Sequence, residues 1–224
     1  MVPAAPPATS TRSELVRLLA PLRRAGAPEP TAPIAERLGE WMGWAQAITL
    51  SSALSPALSS APASAAPAAA PAGALAARLA AERDATVGPL HAAWARPDAV
   101  DVDPAGATDS APYRLHHRSA QRTMASAVDR LRARVRPAVA AVSPRLRQLA
   151  ALDAALGEAL AARQEELLGR LPGLLEAHWR GRRDAPGWHA GYAAALHALL
   201  RAELDLRLQP VDGLIEALRE ETAR

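Results

Sequence analysis

No cysteine, lysine, asparagine or phenylalanine occurs anywhere in this 224-residue chain. Without cysteine there are no disulfides, no thiolate nucleophile, no iron–sulfur cluster and no thiolate zinc site. Without lysine there is no Walker phosphate loop, no Schiff base and no lysine general base. Aromatic side chains are scarce, with five Trp and two Tyr as the whole supply. A core built from this sequence must therefore be mainly Leu packed against Ala, with helices approaching closely at the alanines. Ala, Leu, Arg and Glu are strong helix formers, whereas strands favour Val, Ile, Tyr, Phe and Thr. The composition predicts an all-α fold before any pattern is read.

Charge of one sign is also lacking at the level of the whole chain. The 26 basic residues, all arginine, leave a net charge of only +3. The distribution is uneven, however. From Arg114 to Arg147 there are nine arginines against the single acid Asp129. The first seven residues, Met1 to Pro7, contain neither a basic cluster nor an apolar run, so no secretory signal is expected. Residues 41–77 carry no charge, but prolines at 56, 62, 67 and 71 and many serines break the run. Its second half is mostly Ala, which is barely hydrophobic, so no transmembrane segment is expected. A cytoplasmic location fits both readings.

Along the chain, residues 1–10 read as a disordered Pro/Ala tail. Thr11 and Glu14 form a capping box, followed by Leu15, Leu18, Leu19 and Leu22 at helical spacing. A second helix is expected from Thr31, with Ile34, Leu38, Trp41, Ala45 and Ile48 in one apolar stripe. Residues 11–54 thus form a short helical hairpin. Residues 55–73, of Ala, Pro and Ser, have too little apolar surface to offset their ordering entropy and read as a flexible linker. Residues 74–224 are expected to form an antiparallel bundle of long helices, with a loop near 96–111. The apolar spacing is close to heptad, so coiled-coil-like extension is a further expectation.

Within the bundle, Gly88-Pro89 is expected to interrupt a helix running to Ala95. Tyr113, His117, Ala120, Met124, Leu131 and Val135 define one face of the next, up to Pro137. Ser143-Pro144 has the form of a helix start, with Ser as cap and Pro in the first turn. Asp184 to Gly187 reads as a turn. In the final run Leu199 and Leu206 keep a seven-residue spacing that places Leu206 in the core, beside a second row at Leu204 and Leu208. Glu203 and Arg207 read as a helix-supporting i, i+4 pair. Pro210 is expected to kink or end that helix.

The search for chemistry returns little. The six histidines include no i, i+4 zinc pair and no Glu-x-x-His spacing. No Gly-x-Ser-x-Gly is present, and the paired carboxylates Glu165-Glu166 and Glu220-Glu221 are expected to face water. No catalytic site, cofactor or metal is expected. Two surfaces remain. Arg118, Arg122, Arg132 and Arg136 lie near one side of a helix, suited to phosphates, to an acidic partner, or to acidic neighbours within the fold. Tyr113 is the one base-stacking aromatic in that stretch, which weakens an RNA role. Trp41 is expected in the core. Trp44, three residues on, widens the stripe beyond what two helices can cover, so part of it must dock on this chain's own bundle or on a partner.

Two stretches, Ala35 to Leu50 and Arg201 to Leu214, together with the helix start at Ser143, resemble a proteobacterial family of uncharacterised proteins, a domain of unknown function. The resemblance supplies no catalytic or binding residues. Members of that family lie beside genes for flagellar-stator-like proton channels and peptidoglycan-binding outer-membrane-type proteins. The resemblance thus implies a cytoplasmic accessory of an envelope-associated, proton-driven complex. The sequence reading is a non-enzymatic helical adaptor with a protein partner, or a homo-oligomer. The alternative is a nucleic-acid-associated protein using Arg114–Arg147.

Overall fold

A computed structural model of the chain describes residues 14–22, 36, 39, 41–54, 72–95, 110–182 and 185–223. The described segments are helical, and none of them forms a strand. We label the helices α1 (Glu14–Leu19, continued by a 3-10 turn at Ala20–Leu22), α2 (Trp44–Ala53), α3 (Ala72–Trp94), α4 (Ala111–Ala140), α5 (Pro144–Leu168), α6 (Leu171–Trp179) and α7 (Trp188–Thr222). The chain is all-α, as its composition requires. The 1–10 tail, residues 55–71 of the expected linker and residues 96–109 of the expected loop lie outside the described residues. Ala72 and Gly73, assigned above to the linker, form the start of α3.

Local chemistry explains several boundaries. Ser143 is extended, and its Oγ accepts from Leu146 N at 3.2 Å, so α5 begins as its Ser-Pro signature predicts. Gly187 caps α7 with φ 75°, a left-handed conformation that only glycine adopts without penalty. Elsewhere proline misleads. Pro89 lies inside α3, Pro137 inside α4 and Pro210 inside α7, and none of the three helices ends there. An interior proline removes one backbone hydrogen bond and costs about 3 kcal/mol. Burial on both sides offsets this: Val87 and Leu90 flank Pro89, Val135 and Val139 flank Pro137, and Leu208 and Val211 flank Pro210. Each such side chain contributes roughly 1.5–3 kcal/mol when buried.

The core centres on α7, which packs against α4, α3, α1, α5 and α6. Its fully buried row includes Leu196, Leu200, Leu204, Leu208, Val211 and Leu218. Leu206, placed in the core by its spacing, is instead half-buried at the edge of that row. The expected face of α4 is buried throughout, from Tyr113 and His117 to Leu131 and Val135. Helices α4 and α5 pack together across a three-residue connection, which requires them to run antiparallel. Four aromatic rings, Tyr113, Trp179, Trp188 and Tyr192, gather where α4, α6 and α7 meet, with centroids 4.6–6.3 Å apart. This cluster concentrates most of the scarce aromatic surface in one place.

The N-terminal helices meet different partners. Helix α1 packs on α7 and sets Leu15 into the core cluster, whereas α2 lies against α5. Ile34 and Leu38 of the expected stripe lie outside the described residues, and from Trp41 to Ile48 the stripe is broken. Met42 and Gly43 are not helical, Gly43 is extended, and α2 starts afresh at Trp44. The break changes the register, so Ala45 and Ile48 face outward.

Candidate functional site

Helix α2 is two-sided. Ala53 is buried on the side toward α5, and Gln148 of α5 donates from Nε2 to the Leu54 carbonyl at 3.3 Å. On the other side Trp44 is 83% exposed and Ile48, one turn later, is 51% exposed. Trp44, expected to dock on this chain's own bundle or on a partner, is not covered by the bundle. Trp41 is half-buried rather than in the core. The Arg163 guanidinium lies 5.4 Å above its ring, a cation–π contact.

The structure separates the arginines that the sequence groups together. Arg132 and Arg136 turn inward and share one carboxylate on α5. Arg132 Nη2 donates to Asp153 Oδ1 at 2.7 Å, and Arg136 Nε donates to Asp153 Oδ2 at 2.6 Å. Gly157, one turn after Asp153, makes room for them: a Cβ there would stand 3.0 Å from both guanidinium groups. Arg114 pairs with Glu176, Arg134 with Glu82, and Arg145 with Glu221. Arg118, Arg122 and Arg130 remain exposed on α4. The basic segment thus serves largely as the positive half of interhelix ion pairs. Asp153→Ala leaves two half-buried guanidiniums side by side without their shared acceptor. We expect it to cost about 1–3 kcal/mol, read as a lowered urea midpoint; an unchanged midpoint would show that the pairs contribute nothing.

A buried polar cluster lies where α4 and α7 cross. Glu203 is 0% exposed. Its Oε2 accepts from Gln121 Nε2 at 3.0 Å, and its Oε1 accepts from Arg207 Nη2 at 2.9 Å. Gln121 also donates to the Leu168 carbonyl at 2.8 Å, tying α5 to the cluster. His117 is 1% exposed, and its Nε2 stands 3.7 Å from the carboxylate, an ion-pair distance rather than a hydrogen bond. Burial pushes the Glu203 carboxyl up. His117, Gln121 and the Arg207 guanidinium more than offset this, and hold it below the ordinary carboxylate range. The i, i+4 pair of Glu203 and Arg207 was legible in the sequence, but its burial was not. The available signal was position: Glu203 lies four residues after Leu199, in a place where the apolar row needs a Leu.

Beside this cluster, Arg207 also lines a cleft of about 340 Å³ between α5 and α7, roofed by Trp41. Its walls are largely apolar, with Leu160, Leu167, Leu206 and Pro210 among them, and Arg132 and Arg163 complete the rim. No single residue pattern announces this cleft, since its walls come from four separate stretches of chain. At another place on the bundle His91 and His197 line a smaller cleft with Trp94 and Arg201. Burial and the Arg201 charge lower both imidazoles from their ordinary value. Among the described residues no three His, Asp or Glu side chains converge as a metal site would require.

The model of a protein family described as "Protein of unknown function (DUF3348)" matches residues 1–220. No curated protein and no solved structure matches the chain.

Proposed function

The chain belongs to that family of unknown function, and from this premise we propose that it is a non-enzymatic helical adaptor whose protein partner docks on the outward face of α2. One observation carries the reading: Trp44 and Ile48 project side by side from a helix whose other side already rests on α5. A Trp left open beside an Ile is the kind of aromatic anchor that dominates binding energy once a partner covers it. The finer reading takes its support from the resemblance and its gene neighbours. On it, the partner is a component of an envelope-associated, proton-driven complex, met from the cytoplasm. Among the described residues no helix is long and apolar enough to cross a membrane.

The test compares affinity capture by the full chain and by its Trp44→Asp, Ile48→Asp double variant in the native host. Both positions are exposed, so the variant should unfold within about 0.5 kcal/mol of the parent. The parent should enrich components of the membrane complex and the variant should lose them. Equal capture by both proteins would remove this face from the proposal. Self-association that depends on Trp44, seen in sedimentation velocity, would identify a homo-oligomer as the occupant.

The alternative, nucleic-acid association through Arg114–Arg147, is carried by the exposed Arg118, Arg122 and Arg130. Phosphate contacts weaken steeply with salt. Under the adaptor reading a gel shift at low salt is the same for the parent and for Arg118→Glu, Arg122→Glu. Retardation that salt abolishes and that this double variant loses would transfer the function to nucleic acid.

A further inference from the structure

We propose that in the free chain the outward face of α2 is covered by the same face of a second copy, the two helices lying antiparallel across a two-fold axis at Ile48. The inference rests on the reading of this face as the docking site, and names what holds it before the partner arrives. Helix α2 carries no charged residue, so its face meets its own copy without like-charge repulsion. Two hydroxyls beside that face are already occupied. Thr49 Oγ1 donates to the Ala45 carbonyl at 3.0 Å, and Ser52 Oγ donates to the Ile48 carbonyl at 2.9 Å. Covering them strands no donor.

Size is distributed along the face so that it complements itself in reverse. The outward ridge runs Trp44, Ile48, Ser51, at i, i+4 and i+7, and all three are exposed. A large side chain stands at one end of the ridge and a small one at the other, with Ile48 between them. At about 1.5 Å of rise per residue, Trp44 lies about 6 Å before Ile48 and Ser51 about 4.5 Å after it. With the helices antiparallel about Ile48, each indole comes over Ser51 of the other copy, and the two Ile48 side chains meet at the axis. Ala45 and Ser52, exposed beside the ridge, are small enough to let the helices approach. A parallel pair would instead set indole against indole and leave a gap between the two Ser51. The α2 N-terminus has no side-chain cap, and the antiparallel arrangement sets its partial positive charge beside the negative end of the other helix. A contact confined to two ten-residue helices stays below the roughly 1,200 Å² at which standard interfaces begin, so pairing is reversible and yields to a partner.

Sedimentation equilibrium of the full chain over a wide concentration range should fit a reversible monomer–dimer. Ile48→Arg sets like charges at the axis, and Ser51→Trp overfills the slot opposite the indole. Each should weaken dimerisation at least tenfold and keep the parent circular dichroism. Ser51→Trp separates shape from stickiness, since a merely adhesive face would associate more tightly with a second exposed indole. The chain lacks cysteine, so Ile48→Cys introduces a lone thiol. Mild oxidation should link it into dimers at least tenfold faster than Leu115→Cys, at an exposed position on α4. A chain monomeric throughout, Ser51→Trp pairing as tightly as the parent, or equal cross-linking of the two thiols would each overturn the pairing. A monomer that still captures the membrane complex through Trp44 overturns the pairing and leaves the adaptor reading standing, whereas a dimer that captures nothing removes that reading and keeps the pairing.

Discussion

Glu203→Ala lowers the stability of the chain by about 3–5 kcal/mol, enough to shift a urea midpoint far to the left or to abolish the folded state. The carboxylate is wholly buried, and Arg207 beside it is only 9% exposed. Removing the anion leaves the Arg207 guanidinium only Glu165 at 3.9 Å, takes the acceptor from one Gln121 donor and leaves His117 facing a void. Breaking a buried pair from one side costs more than the pair itself contributes, because the remaining charge has lost both water and partner. Glu203→Gln tests the charge separately from the shape, and should recover part of the loss. The cluster also gives an acid signature. The Glu203 carboxyl is held below its ordinary value, so its stabilisation is complete above the unfolded carboxylate value of about 4.3 and is lost as pH falls through the lower folded value. The histidines act at higher pH. Burial, with nearby arginine charge, lowers His91, His178 and His197. The unfolded chain therefore takes up their protons first, and stability begins to fall as pH drops below about 6.5. A pH series of urea midpoints should show both steps, and Glu203→Gln should lose only the acid one. A midpoint flat from pH 7 to pH 3 would contradict this account.

The second large effect separates two neighbouring leucines. Leu204→Asp should leave no cooperative thermal transition, because Leu204 is 0% exposed in the contact of α7 with the bundle. An aspartate there would place a carboxylate among core leucines, and a buried charge is among the most destabilising single changes. Leu206→Asp should remain folded with a lowered midpoint. Leu206 is half-buried, lines the Trp41 cleft, and has the Arg207 and Arg132 guanidiniums along the same wall. Two circular-dichroism melts decide the matter. If Leu206→Asp unfolds and Leu204→Asp does not, the register of α7 is other than described here.

These two leucines show how far a one-dimensional pattern reaches. Heptad counting gave Leu199 and Leu206 one row and Leu204 and Leu208 another, and it correctly required a broad apolar face. It could not rank the rows, because α7 contacts helices on several sides, and which row lies deepest depends on where α4 and α3 sit. The burial of Glu203 is hidden in the sequence for a related reason. A Glu–Arg pair at i, i+4 looks the same in sequence whether it lies in water or under two helices. Only the approach of Gln121, 82 residues earlier, distinguishes the cases. The arginine stretch follows the same logic: the sequence leaves Arg132 and Arg136 open to phosphates, to an acidic partner or to acidic neighbours within the fold, and Asp153 on α5 decides for the last.

What the sequence determined by itself is local and compositional. Ala, Leu, Arg and Glu without Phe or many β-branched residues made every described element helical, the serine–proline pair at 143–144 opened α5, and a glycine at 187 supplied a left-handed cap. These outcomes rest on torsional preference and on hydrogen bonds within a few residues, so nearby letters suffice. Tertiary structure alone decided the rest. It carried α3, α4 and α7 through their prolines, because burial on both sides of each outweighs one missing backbone bond. It set Glu203 in the dark, drew two arginines onto one aspartate, and roofed a cleft with Trp41. Each of these arrangements joins residues far apart along the chain, and their energies exist only once the helices that carry them have packed.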